Sequence, residues 1–150
     1  MKIVLLFLVC NSITFAQQWT QFLGPNGNGT IGGEISESVQ KNGPKTLWKA
    51  EVGIGCSSFV IADNRAFTVG SKNNEDTIWC FNASNGDILW KNTYPEKLAP
   101  KYYDGGPGAT PTIDGDLVYV LSKSGKLNCL KVQDGKETVS YTHLTLPTKP

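Results

Sequence analysis

Few residues of this chain could support nucleophilic or metal chemistry. His143 is the only histidine among the 150 residues, so a Ser-His-Asp triad, a Cys-His pair or a histidine-ligated metal would depend on it. The cysteines are the other candidates, at Cys10, Cys56, Cys80 and Cys129. Cys10 falls in the apparent leader, and the odd number that remains cannot close a disulfide framework within the chain. We interpret these three as small buried hydrophobic side chains rather than redox or metal-binding groups.

The connection from Tyr94 to Pro111 is the predicted ligand-binding surface. It is longer than a connection between short strands needs, and it contains Tyr94, Tyr102 and Tyr103 among prolines and glycines. Aromatic rings there could stack on a sugar or a peptide; the alternative is that they pack back on the adjacent strands. Asp104 could be a ligand or a base, but Asp before Gly-Gly-Pro is typical of a turn. The sequence assigns no catalytic residue and no metal site, and leaves cofactor-binding residues unknown.

The overall charge argues against a nucleic-acid partner. The 14 Lys and Arg residues and 13 Asp and Glu residues are interspersed and give a net charge of +1. No basic run is present that would form a phosphate-binding stripe. We therefore expect an ordinary solvated surface.

The first residues read as a secretory leader. Lys2 supplies the positive start, residues 3–9 form an apolar run, and Thr14-Phe15-Ala16 offers a cleavage site. The apolar run is too short to span a bilayer, so no transmembrane segment is predicted. We expect residues 1–16 to be removed and the protein to be periplasmic or extracellular. A lipoprotein anchored through Cys10 is the alternative, although the residue before it is not small.

The elements that must position these residues come from a repeat. Residues 63–69 return as residues 114–120, 51 positions later, and residues 78–86 return as residues 127–135, 49 positions later. Cys80 and Cys129 occupy equivalent places in the second pair. A period of this size is typical of architectures in which each unit must stack on a neighbour to bury its apolar face.

Each unit contains a series of short β-segments. In the first copy they cover residues 57–62, 66–70, 77–82 and 87–91, with turn signals at Asp63-Asn64-Arg65 and at Asn85-Gly86. We expect Asn85-Gly86, and Asp134-Gly135 in the next copy, to supply the positive φ angles of tight hairpins. The one helical candidate, residues 34–41, is short and polar, and we interpret it as loop. Four antiparallel strands per unit predict an all-β fold of propeller blades.

The repeat also predicts where native sequence ends. A strand ending in Trp90 follows Gly86, an earlier copy of that ending contains Trp48, and the same register after Gly135 would place Trp at position 139, where Val139 stands. From Val139 onward the chain matches what one frame of a widely used transposase sequencing adapter encodes. We therefore interpret residues 139–150 as a non-native tail. His143 would then be no part of the native protein.

These motifs resemble a known repeat. The pattern Asp-Gly-x-x-Val-Tyr-Val, then Leu-x-Cys-Leu, then Asp/Asn-Gly-x-x-Leu-Trp is similar to that of the pyrroloquinoline-quinone-like (PQQ-like) β-propellers. The segment Trp19 to Gly29 is similar to the start of secreted members from environmental bacteria, although Thr20 and Leu23 replace their usual Pro and Arg. The resemblance implies structural roles for Trp48 and Trp90 as blade-docking residues, for Gly86 and Gly135 in the preceding turns, and for Cys80 and Cys129 as repeat positions.

The resemblance implies an incomplete propeller. Such rings usually have about seven or eight blades, and this chain could supply about two to two and a half. We expect residues 17–46 to be an N-terminal extension, residues 47–138 to form the end of one blade, a complete second and most of a third, and the missing blades of the full-length chain to be partners.

Two functions are compatible with this resemblance. The first is a secreted, non-catalytic binding or scaffold propeller, with no cofactor in this part and an unknown protein or small ligand as partner. The second is the N-terminal part of a quinone-dependent alcohol or sugar dehydrogenase, which would bind PQQ and calcium. Such enzymes use a vicinal Cys-Cys disulfide, which is missing here because Cys56 is followed by Ser57. We favour the first function.

Overall fold

The protein is described by a computed structural model that covers residues 18–30, 32, 33, 37–101 and 103–141. Within these residues the chain contains one short helix, α1 (Glu37–Asn42), followed by eight strands. They are β1 (Val60–Ala62), β2 (Arg65–Lys72), β3 (Glu75–Asn82), β4 (Ile88–Pro95), β5 (Thr112–Asp114), β6 (Leu117–Leu121), β7 (Leu127–Lys131) and β8 (Glu137–Tyr141). The leader, Cys10, Tyr102, His143 and most of the proposed tail lie outside the described residues. Among the described residues, no helix has the length and apolar character needed to cross a membrane.

The strands form two four-stranded antiparallel sheets, each in the order of the chain. We call β1 to β4 blade A and β5 to β8 blade B. This confirms the predicted all-β fold of four-stranded units. Leu47 to Lys49, the predicted end of an earlier blade, lies in no strand of the described residues.

The helix corrects one expectation. Residues 37–42 are helical, where the glycines on either side had suggested loop. Glu37 in the first turn and Lys41 in the last match the helix dipole. Gly43 has a φ of 73° and donates its N–H to the Val39 carbonyl at 2.9 Å, which ends the helix with a left-handed cap.

The first hairpin turn of blade A has the conformation that its residues favour, whereas the turn between β3 and β4 does not. Asp63 and Asn64 have φ angles of 47° and 59°, as a two-residue turn of type I′ needs. Between β3 and β4, in contrast, Gly86 has a positive φ of 81° and Asn85 does not. Asn85 instead accepts the N–H of Asp87 through its side chain. The prediction of tight hairpins is therefore wrong for Asn85-Gly86 and for Asp134-Gly135, because a longer turn with a side-chain bond replaces each. In the second turn Gly135 alone has a positive φ, and Asp134 accepts the N–H of Lys136 through its side chain.

The register of the two blades corrects the repeat alignment. Two-residue turns lie between Ala62 and Arg65 and between Asp114 and Leu117, so the first hairpins are 52 residues apart rather than 51. Phe67, opposite Cys80, therefore corresponds to Tyr119, opposite Cys129. The β3 and β7 strands keep the 49-residue spacing, and each pair with the following strand shifts register at the equivalent place, after Cys80 and after Cys129. The sequence similarity pairs Asp63 with Asp114, whereas the strand register pairs Ala62 with Asp114, a difference of one residue.

The core lies between the two blades. One face of blade A contributes Phe67, Ile78 and Trp90, all 8% exposed or less, and blade B meets it with Val118 and Leu130, both fully buried. The Phe67 and Trp90 rings are 5.7 Å apart in a tilted arrangement. The apolar faces of the two sheets are thus buried against each other, as stacked units require.

Candidate functional site

Each predicted docking tryptophan lies against the turn of the following unit. The Trp90 indole donates its N–H to the Val132 carbonyl at 2.9 Å. Trp48 does the same to the Ala83 carbonyl at 2.8 Å, and the two acceptors, Ala83 and Val132, are 49 residues apart, as the repeat requires. A Cβ on Gly135 would lie 2.5 Å from the Trp90 ring.

The glycine at the other site has the same relation to its tryptophan. A Cβ on Gly86 would lie 2.7 Å from the Trp48 ring. Each of the two positions therefore needs glycine for two reasons: the positive φ and the close approach of the tryptophan ring. Trp48 thus makes the blade-docking contacts although it lies in no strand.

The predicted ligand loop is smaller than the sequence suggested. Tyr94 belongs to β4, where it lies opposite Asp76, and its side chain is 4% exposed. The alternative that the ring packs on the adjacent strands therefore holds for Tyr94, and its predicted place in a binding loop is wrong, because a ring packed in the core cannot stack on a ligand. Tyr103 is half exposed and Asp104 is exposed, so these two residues do lie on the loop surface.

Close backbone contacts tie down the loop, which the structure describes at residues 96–101 and 103–111. Ala99 donates its N–H to the Gly105 carbonyl at 3.0 Å, and Cys56 donates its N–H to the Pro107 carbonyl at 2.8 Å. A Cβ on Gly106 would lie 2.5 Å from the Ile54 carbonyl oxygen. The loop is therefore tied both to itself and to the segment that leads into β1.

A cavity of about 400 Å³ lies between this loop and the end of β6. Tyr103 and Lys123 are its largest polar lining side chains, and Ser122 adds a hydroxyl. The remaining lining residues are small or apolar: Ala99, Gly108, Ala109 and Leu121. The Lys123 ammonium and the Ser122 hydroxyl already have partners within the chain, so Tyr103 is the side chain of this cavity that remains open to a partner.

A buried ion pair lies beside this cavity, and sequence reasoning missed it. The Lys123 ammonium donates to both Asp76 oxygens, at 3.1 and 2.8 Å. The Asp76 side chain is fully buried and that of Lys123 is 11% exposed. Asp76 precedes Ile78 and Cys80 at alternate, inward-facing strand positions, which is the one signal that marked it as buried.

Further charged groups surround the Tyr94 ring. The Lys126 ammonium lies 5.1 Å from its centroid, and Ser124 donates its hydroxyl to Glu96 at 2.7 Å. The Tyr94 hydroxyl itself has no hydrogen-bond partner among the described residues. Burial, followed by the negative charges of Asp76 and Glu96, raises the pKa of Tyr94 far above its usual value. The ring is thus a neutral structural contact between the blades.

The cysteines differ in exposure. Cys80 is fully buried, and burial raises its pKa to about 11 although Arg65 acts in the opposite direction. Cys129 is 7% exposed, so both repeat cysteines are buried as predicted. Cys56 is exposed, which corrects the prediction of a buried side chain, because it lies outside the strands, in the segment before β1.

Comparison with known proteins identifies the family. A PQQ-type family model described as outer membrane protein assembly factor BamB matches residues 28–149. The chain belongs to this PQQ-like repeat family. No curated protein matches the chain. The match also extends over most of residues 139–150, whose non-native origin stays a prediction.

Two solved structures match part of the chain. One is BamB from Moraxella catarrhalis, at 21% identity and a TM-score of 0.40, covering 64% of this chain and 24% of that one. The other is a europium-containing methanol dehydrogenase, at 11% identity and a TM-score of 0.53, covering 67% of this chain and 18% of that one. The chain spans about a quarter or less of the length of either structure. The likeness to the dehydrogenase concerns the fold alone.

The described residues contain no cluster of acidic, histidine or cysteine side chains of the kind that holds a metal ion. Among residues 18–30, 32, 33, 37–101 and 103–141, no three Asp, Glu, His or Cys side chains come close enough to hold a metal ion. Calcium takes six or more oxygen ligands, many of them carboxylates.

Proposed function

We propose that the protein is an exported, non-catalytic propeller that binds another protein through the loop of residues 96–111. The observation that carries this proposal is the loop itself, which is fixed by backbone bonds yet presents a half-exposed Tyr103 beside a cavity. A rigid aromatic side chain at the edge of a pocket is a common anchor in protein interfaces, because little entropy is lost when it binds.

The family supports a partner in the outer membrane. The matching family model is described as an outer membrane protein assembly factor. We infer by analogy that this protein acts in the periplasm on outer-membrane proteins or on their assembly machinery. The predicted leader of residues 1–16 is in keeping with export.

Further blades of the same protein are a second expected contact. Phe67 of blade A is buried against blade B, whereas its counterpart in blade B, Tyr119, is only partly buried. Tyr119 lines an apolar cavity of about 370 Å³ together with Leu117, Leu127, Cys129 and Thr138, and with Val139 and Tyr141 of the proposed tail. We propose that a following blade covers this face, as blade B covers blade A.

The test is site-specific photo-cross-linking in the full-length protein. A photoreactive amino acid replaces Tyr103 in cells of the parent organism, and a matched variant carries it at Phe22, which is 61% exposed on the N-terminal segment. We expect a discrete cross-linked outer-membrane protein from position 103 and none from position 22. Equal cross-linking from both positions would contradict a binding role for the loop.

The same full-length protein distinguishes the dehydrogenase alternative. It is titrated with PQQ in the presence of calcium, and dye reduction is measured with an alcohol or a sugar. We expect neither saturable quinone binding nor dye reduction. Substrate-dependent reduction would replace this proposal with the enzyme.

A further inference from the structure

The residues that precede the blades join both of them. Trp19 and Ile61 of β1 exchange two backbone hydrogen bonds, at 2.8 and 2.7 Å. The next residue, Thr20, accepts the N–H of Ile113 of β5 at 2.8 Å. Gln18 adds a side-chain bond to Asp63 at 3.0 Å. We call residues 18–29 the N-terminal strap.

The strap contacts the same position in each blade. Ile61 lies opposite Ala66 and Ile113 opposite Val118, each one residue before the strand end that leads into the two-residue turn. Both belong to the first strand of their sheet, on the side that no other strand of the sheet covers. Two consecutive residues of one segment therefore bind equivalent backbone groups of two consecutive blades.

The strap has a fixed shape of its own. Gly24 donates its N–H to the Gln21 carbonyl at 3.0 Å, and Gly29 donates to the Leu23 carbonyl at 2.8 Å. Gly24 has a φ of 75°, and a Cβ there would lie 2.6 Å from the Trp19 ring. The folded turn and the Trp19 ring thus hold each other, which presents Trp19 and Thr20 in an extended form.

We infer that the N-terminal strap is a brace that fixes blade A to blade B along their first strands and closes those two edges to other chains. Unpaired edge strands readily add a further strand, which leads to aggregation. The strap satisfies the outward N–H groups of both Ile61 and Ile113. Loss of the strap should free both edges together although they are 52 residues apart in the chain.

The test compares two glycine variants in the full-length chain. Gly24→Ala places a methyl group against the Trp19 ring, whereas Gly27→Ala, at a similar φ of 63°, meets nothing within 4 Å. The two glycines have similar positive φ angles, so the difference between the variants reports mainly on the Trp19 contact. Hydrogen exchange is measured by mass spectrometry in peptides that contain Ile61 and in peptides that contain Ile113.

We expect both peptides to exchange roughly tenfold or more faster in Gly24→Ala than in Gly27→Ala, because three backbone hydrogen bonds are weakened. Faster exchange near Ile61 alone, or equal rates in the two variants, would overturn the brace. If Gly24→Ala does not fold, Trp19→Phe serves in its place, with a smaller increase expected at both sites. Unchanged exchange in Trp19→Phe and Trp19→Ala alike would also overturn it.

Discussion

Replacing Lys123 by Met should destabilise the junction of the two blades. The substitution keeps most of the aliphatic packing of the side chain but leaves the fully buried Asp76 carboxylate without its ammonium partner. Both oxygens lose a donor that lies at 3.1 or 2.8 Å. The cost therefore measures an isolated charge in the protein interior.

The burial of the two groups sets the expected size. Removing one partner of a buried ion pair costs about 3–5 kcal/mol. Because the Lys123 side chain is 11% exposed and water can approach the vacated site, we expect about 3 kcal/mol. Asp76→Asn should cost less, about 1–2 kcal/mol, since a partly exposed lysine can turn towards solvent.

Urea unfolding of the full-length protein, followed by tryptophan fluorescence, measures these costs. Trp90 is buried between the blades and reports on their separation. Lys131→Met is the matched control, because this lysine is exposed on β7 and forms no ion pair among the described residues. It should change the free energy of unfolding by less than about 0.5 kcal/mol.

The double variant Asp76→Asn/Lys123→Met completes the comparison. It should lose about 1–2 kcal/mol less than the two single variants together, since it leaves no unpaired charge. A loss below about 1 kcal/mol for Lys123→Met would place the pair with ordinary surface ion pairs. Strict additivity in the double variant would likewise refute the reasoning.

Three other predictions concern the same junction and use the same unfolding assay. Gly135→Ala should cost about 1–3 kcal/mol more than Gly125→Ala, because both have positive φ but only the first meets the Trp90 ring; equal costs would remove the docking role. Burial raises the pKa of Cys80 to about 11 from an ordinary 9.0, so the folded state retains the thiol proton. The contribution of this thiol to stability is therefore complete below about pH 9 and is lost as pH rises towards 11. The Cys80→Ala variant should not show this loss of stability at high pH, and an unchanged pH dependence of its free energy of unfolding would contradict the prediction. Tyr94→Phe should be neutral or stabilising by about 1 kcal/mol, because the hydroxyl is buried without a partner among the described residues; a clear loss of stability would show that the hydroxyl has one.

The docking contacts could be predicted from the sequence, whereas the ion pair could not. Gly86 and Gly135 stand in turns that recur with a fixed spacing, and each lies against a tryptophan that the repeat also marks. Asp76 and Lys123 are 47 residues apart and have no counterpart in the repeat. They meet because blade B packs on blade A, which is a contact that local patterns do not encode.

Element boundaries failed where packing extends a strand. The sequence ended the fourth strand at residue 91, whereas β4 continues to Pro95. The extension pairs Tyr94 with Asp76 and brings the ring under Lys126 of blade B. A tyrosine near prolines and glycines resembles a loop residue until the neighbouring blade covers it. The same contact removed one of the four predicted ligand residues from the surface.

The register also gives a structural meaning to the missing third tryptophan. Trp90 lies opposite Cys80, and Val139 lies opposite Cys129, so position 139 is the place at which the repeat requires a docking ring. All five residues of β8 are exposed, although β4 buries Trp90 and Tyr94 against the next blade. The β8 backbone pairs with β7, but its side chains include no residue able to make the Trp90 contact. The strand pairing of the repeat therefore continues to Tyr141. The docking tryptophan, in contrast, is replaced by Val139, where the proposed non-native tail begins.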